Sequence, residues 1–98
     1  SGACHPRSNM FYIYTLRSLA RDWLYVGYTE DLHRRFLEHQ KGLSQATRPY
    51  RPFKLVFYEA YAAKADAKRR EMYLKTVKGK RTLRLMLKDS LGLDSDSL

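Results

Sequence analysis

The pattern of apolar and polar positions near the N-terminus predicts two short strands. Residues 12–14 lie in a run of aromatic and β-branched side chains, and residues 23–28 repeat that composition after the polar link 18–22. Aromatic and β-branched residues favour strands, and a short polar connection between two such runs is typical of a hairpin. We therefore expect an antiparallel pair of strands here.

The residues that follow predict a helix with one apolar side. Thr29 is a suitable N-cap, and Glu30 and Asp31 would place negative charge in the first turn, so we expect the helix to begin near residue 30. At about 100° per residue, Leu32 and Phe36 share the buried side of this helix. The helix should therefore pack on the hairpin through that side.

Four polar or aromatic side chains of the hairpin and helix are expected to converge on one cleft. Arg35 and His39 are one turn apart along the edge of the apolar stripe, so both lean toward the strands. Strand pairing would bring the phenols of Tyr14 and Tyr25 to the same edge. Each of these residues alone has a commoner structural explanation, since tyrosines and histidines in small sheets usually serve packing. Only their joint spacing singles them out.

A loop with several basic residues is predicted for residues 40–52, which glycine, serine, threonine and two prolines punctuate. Contacts to phosphate and an ordinary solvated loop are equally good interpretations of its charge. The candidate nucleic-acid-binding residues in this loop and beside the cleft are Arg34, Lys41, Arg48, Arg51 and Lys75.

The second half of the chain predicts one more strand and two more helices. Phe53–Tyr61 has the pattern of a strand covered on both sides, with odd-numbered residues from 55 to 61 on one face and even-numbered residues from 56 to 60 on the other. We therefore take it as the central strand. Residues 62–78 have helical composition, Gly79 should end that helix, and residues 80–91 should form a third. The predicted fold class is α/β (α+β), a small three-stranded, mostly antiparallel sheet flanked by about three helices.

Glu71 is the one acid beside the apolar face of the second predicted helix. A carboxylate held there could bind one hard divalent cation and leave the other coordination positions to water and phosphate. The residues alone favour a different interpretation, an ion pair with Lys75 one turn further on.

Length and charge bound the class of protein. A chain of 98 residues is enough for one domain, and we divide it into an N-terminal extension or tag remnant at 1–9, a single domain at 10–90 and a polar, disordered tail at 91–98. The 19 Lys and Arg residues against 10 Asp and Glu residues give a formal charge of +9. Such an excess suits a polyphosphate partner, although a basic inert surface or a ribosome-associated protein would show the same charge.

Cysteine content and hydropathy predict a cytoplasmic protein. The single cysteine, Cys4, excludes an internal disulfide and a cysteine-rich metal site. No apolar run approaches the roughly 20 residues that span a bilayer, and residues 1–9 lack the apolar segment of a signal peptide. We expect neither export nor a membrane partner.

The hairpin and first helix resemble the signature of the GIY-YIG nuclease superfamily. Residues 12–14 stand for the first signature and residues 25–27 for the second, followed at the family's spacing by Arg35 and His39. The resemblance covers most of residues 11–87, continuing through Gly42, Thr47, residues 51–52, residues 55–59 and residues 67–75. It is closest to the short stand-alone bacterial members, which are similar to the N-terminal domain of an excinuclease and so suggest DNA repair.

The resemblance implies a metal-dependent endonuclease that hydrolyses DNA phosphodiester bonds with one metal ion. Tyr14 or Tyr25 would act as, or orient, the general base, Arg35 would stabilise the transition state, and Glu71 would hold Mg²⁺ or Mn²⁺. A free phenol has a pKa of about 10, too high for an efficient base near neutrality, so Arg35 and a proton-accepting His39 would have to make it usable. The choice between the two tyrosines stays open.

The implied partner is nucleic acid, DNA before RNA, with a preference for single-stranded or structured strands. Two other functions stay open, a non-catalytic nucleic-acid-binding module and an RNA-directed nuclease. Specificity would come from the domain's own loops, from structure in the nucleic acid or from a protein partner. The sequence gives no oligomeric state.

Overall fold

The computed structural model describes residues 9–92 and confirms the predicted α+β class. Its three strands and four α-helices, with one 3₁₀ turn, are β1 (Phe11–Ser18), β2 (Leu24–Thr29), α1 (Leu32–Lys41), the 3₁₀ turn (Arg48–Tyr50), β3 (Phe53–Tyr61), α2 (Lys64–Leu74), α3 (Val77–Met86) and α4 (Lys88–Gly92).

Strand β1 lies at the centre of the sheet, whose order is β2, β1, β3 with both neighbours antiparallel. The predicted hairpin is confirmed, whereas the prediction that Phe53–Tyr61 is the central strand is wrong. Residues 13–16 of β1 are at most 1% exposed, as expected for a strand covered on both faces. In β3, by contrast, Lys54, Tyr58 and Ala60 are exposed, which fits a strand at the edge.

Apolar side chains cover both faces of the sheet. The α2 cluster, between the sheet and helices α2 and α3, contains Ile13, Leu24, Val26, Ala67, Leu74, Leu83 and Leu87. The smaller α1 cluster contains Tyr14, Leu16 and Phe53. Leu32 and Phe36 of α1 pack against this cluster as predicted. Tyr14 therefore faces α1.

A β-bulge interrupts the alternation of β3. The register with β1 shifts between Thr15 and Leu16, which pair with Phe57 and Leu55 and leave Val56 as the extra residue. Leu55 packs against the α1 cluster, while Val56 and Phe57 both pack against the α2 cluster. The predicted placement of residues 55 and 57 on one face is therefore wrong.

Helix α1 begins two residues later than predicted. Its N-cap is Asp31, whose carboxylate accepts a hydrogen bond from the Arg34 N–H at 3.1 Å. Thr29 instead ends β2, and its hydroxyl accepts from the Asp31 N–H. The helix ends at Gly42, whose φ of 79° lies in the left-handed region that favours glycine.

The predicted helix break at Gly79 is wrong. Helix α2 ends earlier, and Thr76 caps α3 by accepting a hydrogen bond from the Gly79 N–H at 3.0 Å. Gly79 is buried in the first turn of α3, where a Cβ would overlap the Tyr73 carbonyl oxygen. The glycine therefore permits two helices to pack closely. The segments predicted as two helices, 62–78 and 80–91, form three.

Helix α4 takes the described chain to Gly92, and Leu91 packs against the α2 cluster. Residues 91 and 92 of the predicted tail are therefore helical. The rest of that tail, and residues 1–8 of the predicted extension, lie outside the described residues. Within residues 9–92, no helix has the length and apolarity needed to cross a membrane.

Candidate active site

The two tyrosines of the hairpin lie side by side on the face that α1 covers. In the register of β1 with β2, Tyr14 is opposite Gly27 and Leu16 is opposite Tyr25, so both aromatic side chains project from the same face. Their ring centroids are 6.2 Å apart. Tyr14 is 1% exposed, whereas Tyr25 is half-buried.

Gly27 makes room for the Tyr14 ring. A Cβ at this position would lie 2.5 Å from the Tyr14 hydroxyl oxygen and 2.9 Å from Cε2 of Tyr25. Neither ring is the end of a long flexible side chain, so neither can yield easily. The glycine of the second signature therefore allows the two phenols to share this part of the sheet.

His39 connects Tyr14 to the loop after α1. Its imidazole is fully buried, with Nε2 2.8 Å from the Tyr14 hydroxyl and Nδ1 2.8 Å from the Thr47 hydroxyl. The Thr47 hydroxyl also donates to the Ser44 carbonyl at 3.5 Å. Since Thr47 has one hydroxyl proton, its oxygen accepts from His39 Nδ1–H, which leaves Nε2 to accept from Tyr14. The hydrogen-bond chain runs from Tyr14 through His39 to Thr47.

The protonation states agree with that direction. Burial, followed by the nearby Arg35 guanidinium, lowers the pKa of His39 to about 4, so the imidazole is neutral at pH 7. Burial raises the pKa of Tyr14 to about 12, with Tyr25 adding to the rise and Arg35 opposing it. Tyr14 is therefore a protonated phenol that donates to a neutral imidazole.

Arg35 lies between Tyr14 and Glu38. Its Nη1 donates to the Glu38 carboxylate at 2.9 Å, and this hydrogen bond is the main reason that the pKa of Arg35 is raised. The guanidinium is also close enough to the Tyr14 hydroxyl to lower the pKa of that phenol. With 33% of its side chain exposed, Arg35 presents a permanent positive charge at the site.

Tyr25 is the phenol that remains accessible. Its ring centroid is 5.2 Å from that of His39 and 6.0 Å from that of Trp23, which fixes the position of the ring. Unlike Tyr14, its hydroxyl has no hydrogen-bond partner among residues 9–92. The hydroxyl is therefore available to a ligand or to water.

Glu71 approaches the site from the opposite face of the sheet. It lies on α2, and its 12% exposed side chain binds the Lys75 ammonium at 2.9 Å and that of Lys68 at 3.4 Å. Lys75 Nζ is also 6.0 Å from the ring centroid of Tyr25. In the described sheet β2 has a neighbour only on the β1 side, and at this edge Lys75, directly after α2, reaches the Tyr25 ring.

The ion pair of Glu71 with Lys75 is thus present. The carboxylate nevertheless lies within electrostatic reach of Tyr14, whose raised pKa it increases slightly. Tyr14, Tyr25, Arg35 and His39 form one continuous group, and Glu71 adjoins it through Lys75.

Most of this chain matches a known catalytic domain. The sequence profile of the GIY-YIG catalytic domain matches residues 10–84, most of the chain. The chain belongs to the GIY-YIG family. This finding confirms the resemblance that residues 12–14 and 25–27 carry. The GIY-YIG domain defines a family of endonucleases.

Short bacterial proteins named UPF0213 are similar to this chain. The UPF0213 protein YazA of Bacillus subtilis is 33% identical over 75 residues, which cover 76% of this chain and 75% of that protein. The UPF0213 protein CPE1444 of Clostridium perfringens is 34% identical over 83 residues, with coverage of 84% and 88%. The solution NMR structure of the UPF0213 protein BH0048 from Bacillus halodurans superposes with a TM-score of 0.51 at 32% identity, covering 79% of this chain and 84% of that one. These names state no activity.

GIY-YIG nucleases generally use divalent metal ions, so the surroundings of Glu71 bear on whether this chain can hold one. No three His, Cys, Asp or Glu side chains within residues 9–92 form a metal-binding group. The protein would contribute one carboxylate, and water and phosphate would complete an oxygen shell of the kind that Mg²⁺ prefers. Because two ammonium groups already bind the Glu71 carboxylate, this position accommodates positive charge. The donor set fits a single hard cation in place of an ammonium.

All five predicted nucleic-acid-binding residues are exposed on this GIY-YIG domain: Arg34, Lys41, Arg48, Arg51 and Lys75. Arg48 and Arg51 line an open groove of about 730 Å³ beside the 3₁₀ turn. Arg34 makes a long ion pair with Glu38 at 3.7 Å. These cations are therefore spread over α1, the 3₁₀ turn and the end of α2, and Lys75 is the one with a contact to Tyr25 among the described residues.

Three residues of the site had no predicted role. Thr47 was predicted only to lie in a loop, yet its hydroxyl orients His39. Gly27 was predicted only as part of the second signature, yet its lack of a side chain makes room for Tyr14. Glu38 binds Arg35 from one turn further along α1. The spacing of Arg35 and Glu38 is a visible signal for an ion pair. The contact between His39 and Thr47 depends on the path of the loop and has no local signal.

Proposed function

We propose that this protein is a metal-dependent endonuclease that hydrolyses DNA phosphodiester bonds by a single-metal, tyrosine-assisted mechanism. The observation that carries the proposal is the buried chain of Tyr14, His39 and Thr47 in contact with Tyr25 and Arg35. Burying several polar groups is costly unless each is hydrogen-bonded. Such a network fits a site where proton positions and ring orientations must be fixed before substrate arrives.

In the proposed reaction Tyr25 meets the substrate. Its accessible hydroxyl orients the water that attacks phosphorus, while the enclosed Tyr14 and His39 hold the Tyr25 ring through contacts of 6.2 and 5.2 Å between centroids. Positioning the nucleophile lowers the barrier because orientation entropy is lost on binding rather than in the reaction. Tyr14 is the positioning residue of the pair.

Arg35 stabilises the negative charge that develops on the phosphoryl oxygens. Its guanidinium is charged at all physiological pH values and offers several N–H donors in a planar arrangement that matches phosphate. Glu38 occupies one of these donors and so fixes the side chain while leaving others for substrate. The expected role is stronger contact with the transition state than with the ground state.

Glu71 is the proposed ligand of Mg²⁺ or Mn²⁺. When bound, such an ion would neutralise charge near the departing 3′ oxygen. Lys75, which binds the Glu71 carboxylate, would then be released to contact phosphate. The same residue thus has a place among the proposed nucleic-acid-binding cations.

The proposed substrate is single-stranded or structured DNA, contacted through Arg34, Lys41, Arg48, Arg51 and Lys75, in the cytoplasm. The formal charge of +9 supports a polyphosphate partner. A protein partner would add target specificity, and DNA repair is the proposed setting.

The deciding experiment is cleavage of end-labelled single-stranded, duplex and branched DNA, with an RNA control, in Mg²⁺, Mn²⁺ or EDTA. Parent protein is compared with Arg35→Ala and Glu71→Gln. Arg69→Ala and Asp66→Asn serve as matched controls, because both are exposed residues of α2 that pair with each other at 2.9 Å. We expect metal-dependent cutting that Arg35→Ala and Glu71→Gln abolish and that the controls retain.

Other outcomes point to the remaining functions. Absence of cleavage on every substrate, with DNA binding intact, would replace the nuclease by a non-catalytic binding module of the same fold. Preferential cutting of the RNA control would replace DNA by RNA. Equal cutting by parent and both site variants would exclude the proposed residues.

A further inference from the structure

A row of stacked rings leads away from Tyr25. The Trp23 ring lies 6.0 Å from the Tyr25 ring at an interplanar angle of 29°. The Trp23 ring also stacks on Tyr50, with centroids 3.8 Å apart and an interplanar angle of 13°. The Arg21 guanidinium carbon lies 5.3 Å from the Tyr50 ring centroid. The row thus joins the candidate active site to the 3₁₀ turn and ends in a cation over an aromatic face.

Hydrogen bonds of the backbone hold the outer end of this row, at Tyr50 and Arg21, in place. The buried Ser18 hydroxyl donates to the Tyr50 carbonyl at 2.6 Å and accepts from the N–H groups of Ala20 and Arg21 at 3.1 and 3.0 Å. The Leu19 N–H donates to the Pro52 carbonyl at 2.8 Å. One hydroxyl therefore fixes the backbone on both sides of the Arg21–Tyr50 contact, although Arg21 itself is exposed.

We propose that the face of Tyr50 beneath Arg21 is a stacking site for an unpaired nucleobase of the DNA substrate. The inference rests on the proposed nuclease function and specifies its substrate class, DNA with an unpaired nucleotide near the cut. An aromatic face backed by further rings and flanked by arginines is the arrangement with which proteins bind single strands.

Arg21 is suited to give way to a base. A cation over an aromatic ring at an exposed position is held more weakly than a stacked base. Displacing the guanidinium therefore costs less than the stacking gains, and the released charge remains beside the strand to contact phosphate. Arg48 and Arg51, on either side of Tyr50 along the chain, are both exposed and supply further phosphate contacts.

The position of Tyr50 relative to Tyr25 determines how far the stacked base lies from the cleaved phosphodiester bond. Trp23 contacts both rings, so a strand whose phosphate lies at Tyr25 reaches Tyr50 within a few nucleotides. A fully paired duplex keeps its bases stacked inside and cannot offer one to this face. The site therefore discriminates by base accessibility and not by sequence.

The test is binding of a fluorescent single strand and a matched duplex in EDTA, so that no turnover is needed. Tyr50→Leu keeps an apolar side chain against Trp23, and Tyr50→Phe keeps the ring. Tyr58→Leu, an exposed tyrosine of β3, is the matched control. We expect Tyr50→Leu to weaken single-strand binding by about tenfold or more and duplex binding by less than about twofold, with Tyr50→Phe and Tyr58→Leu like the parent.

A 2-aminopurine reporter in the strand provides a direct readout. Its fluorescence should be quenched on binding to the parent and to Tyr50→Phe, but not to Tyr50→Leu, with thermal melting used to verify the fold of each variant. Equal single-strand affinity for Tyr50→Leu and parent, or equal losses for single strand and duplex, would overturn the stacking site. If single-strand binding depends on the Tyr50 ring but no DNA is cleaved, the nuclease proposal fails and the stacking site stands. If DNA is cleaved but single-strand binding does not depend on the Tyr50 ring, the stacking site fails and the nuclease proposal stands.

Discussion

Tyr14 and Tyr25 carry the same side chain in opposite surroundings. Tyr14 is enclosed and donates its proton to His39, whereas the Tyr25 hydroxyl has no partner among the described residues. A buried hydrogen bond contributes to stability, and an accessible unpaired hydroxyl contributes little. Removing the Tyr14 hydroxyl should therefore affect mainly stability, and removing the Tyr25 hydroxyl should affect mainly cleavage.

Tyr14→Phe should lower the free energy of unfolding by about 1–3 kcal/mol, because the buried Nε2 of His39 loses its donor. Tyr25→Phe should change that free energy by less than about 0.5 kcal/mol and yet reduce cleavage by about 10²-fold or more. Denaturant unfolding and initial cleavage rates measure the two effects. Tyr25→Phe cutting at the parental rate would remove Tyr25 from the proposed reaction.

Gly27→Ala should disturb the Tyr14 ring, because the new Cβ would lie 2.5 Å from its hydroxyl oxygen. Overpacking of this kind costs about 1–3 kcal/mol, and cleavage should fall with it. Gly92→Ala is the matched control, since a Cβ there meets no atom of residues 9–92 within 4 Å. If the unfolding curves of Gly27→Ala and Gly92→Ala coincide, the close packing at Gly27 is refuted.

His39 should make stability depend on pH. Its pKa falls from 6.5 in the unfolded chain to about 4 in the folded protein, so between these values only the unfolded chain binds the proton. The free energy of unfolding should therefore be unaffected by His39 above pH 6.5 and decrease as the pH falls to 4, by up to about 3 kcal/mol. Urea titrations across this range measure the slope.

The control for that slope is the exposed His33, on the same helix. His33→Gln should retain the pH dependence, and His39→Gln should lose the part due to the buried imidazole. Parallel slopes for parent and His39→Gln would show that the buried imidazole is not its source.

The site residues were predictable to different extents. Tyr14, Tyr25, Arg35 and His39 follow from strand alternation and helical spacing, which are local patterns, and the structure does bring them together. Their catalytic roles remain predictions. The function of Thr47 as partner of His39 was not predictable, because a contact across eight residues depends on how the loop folds back.

At the scale of elements, the site depends on where α1 begins. The helix carries Arg35, Glu38 and His39, and the Asp31 carboxylate caps its first turn by accepting a hydrogen bond from the Arg34 N–H. The orientation of the whole group therefore depends on an N-cap outside the site.

Asp31→Ala should remove this cap and cost about 0.5–2 kcal/mol of stability, with a loss of cleavage because the first turn of α1 frays. Asp31→Asn should retain most of both, since asparagine caps a helix as well as aspartate does. Circular dichroism melting and cleavage rates measure the pair. Equal losses in both variants would show that charge at this position matters more than capping.

The elements show what local sequence does not contain. The hairpin and its order were predictable, since composition and a short link specify them. The central position of β1 was not, because alternation reports burial of faces and not which edges are paired. The bulge at Val56 and the packing of Gly79 against Tyr73 were missed for a similar reason, as each depends on a neighbouring element.

At the scale of the whole molecule, the positive charge should dominate affinity for DNA and make it salt-dependent. Arg51 lies in the groove beside the 3₁₀ turn. Arg51→Gln should reduce the slope of log affinity against log salt by about 0.7 for single strands. Arg69→Gln, on α2 and paired with Asp66, should leave it unchanged. Fluorescence anisotropy at several salt concentrations measures the slopes, and equal slopes for both variants would remove Arg51 from the DNA contact.

Lys68 of α2 and Lys75, directly after that helix, also affect how copies of this protein contact one another. Strand β2 is an edge of the described sheet, and an open edge invites pairing with the edge of a second molecule. Lys68 Nζ lies 4.5 Å from the Tyr28 ring centroid, and Lys75 lies over Tyr25, so two ammonium groups flank this edge. Mutual repulsion between such edges opposes self-association, and the cations that balance Glu71 should thereby also help to keep the domain from aggregating.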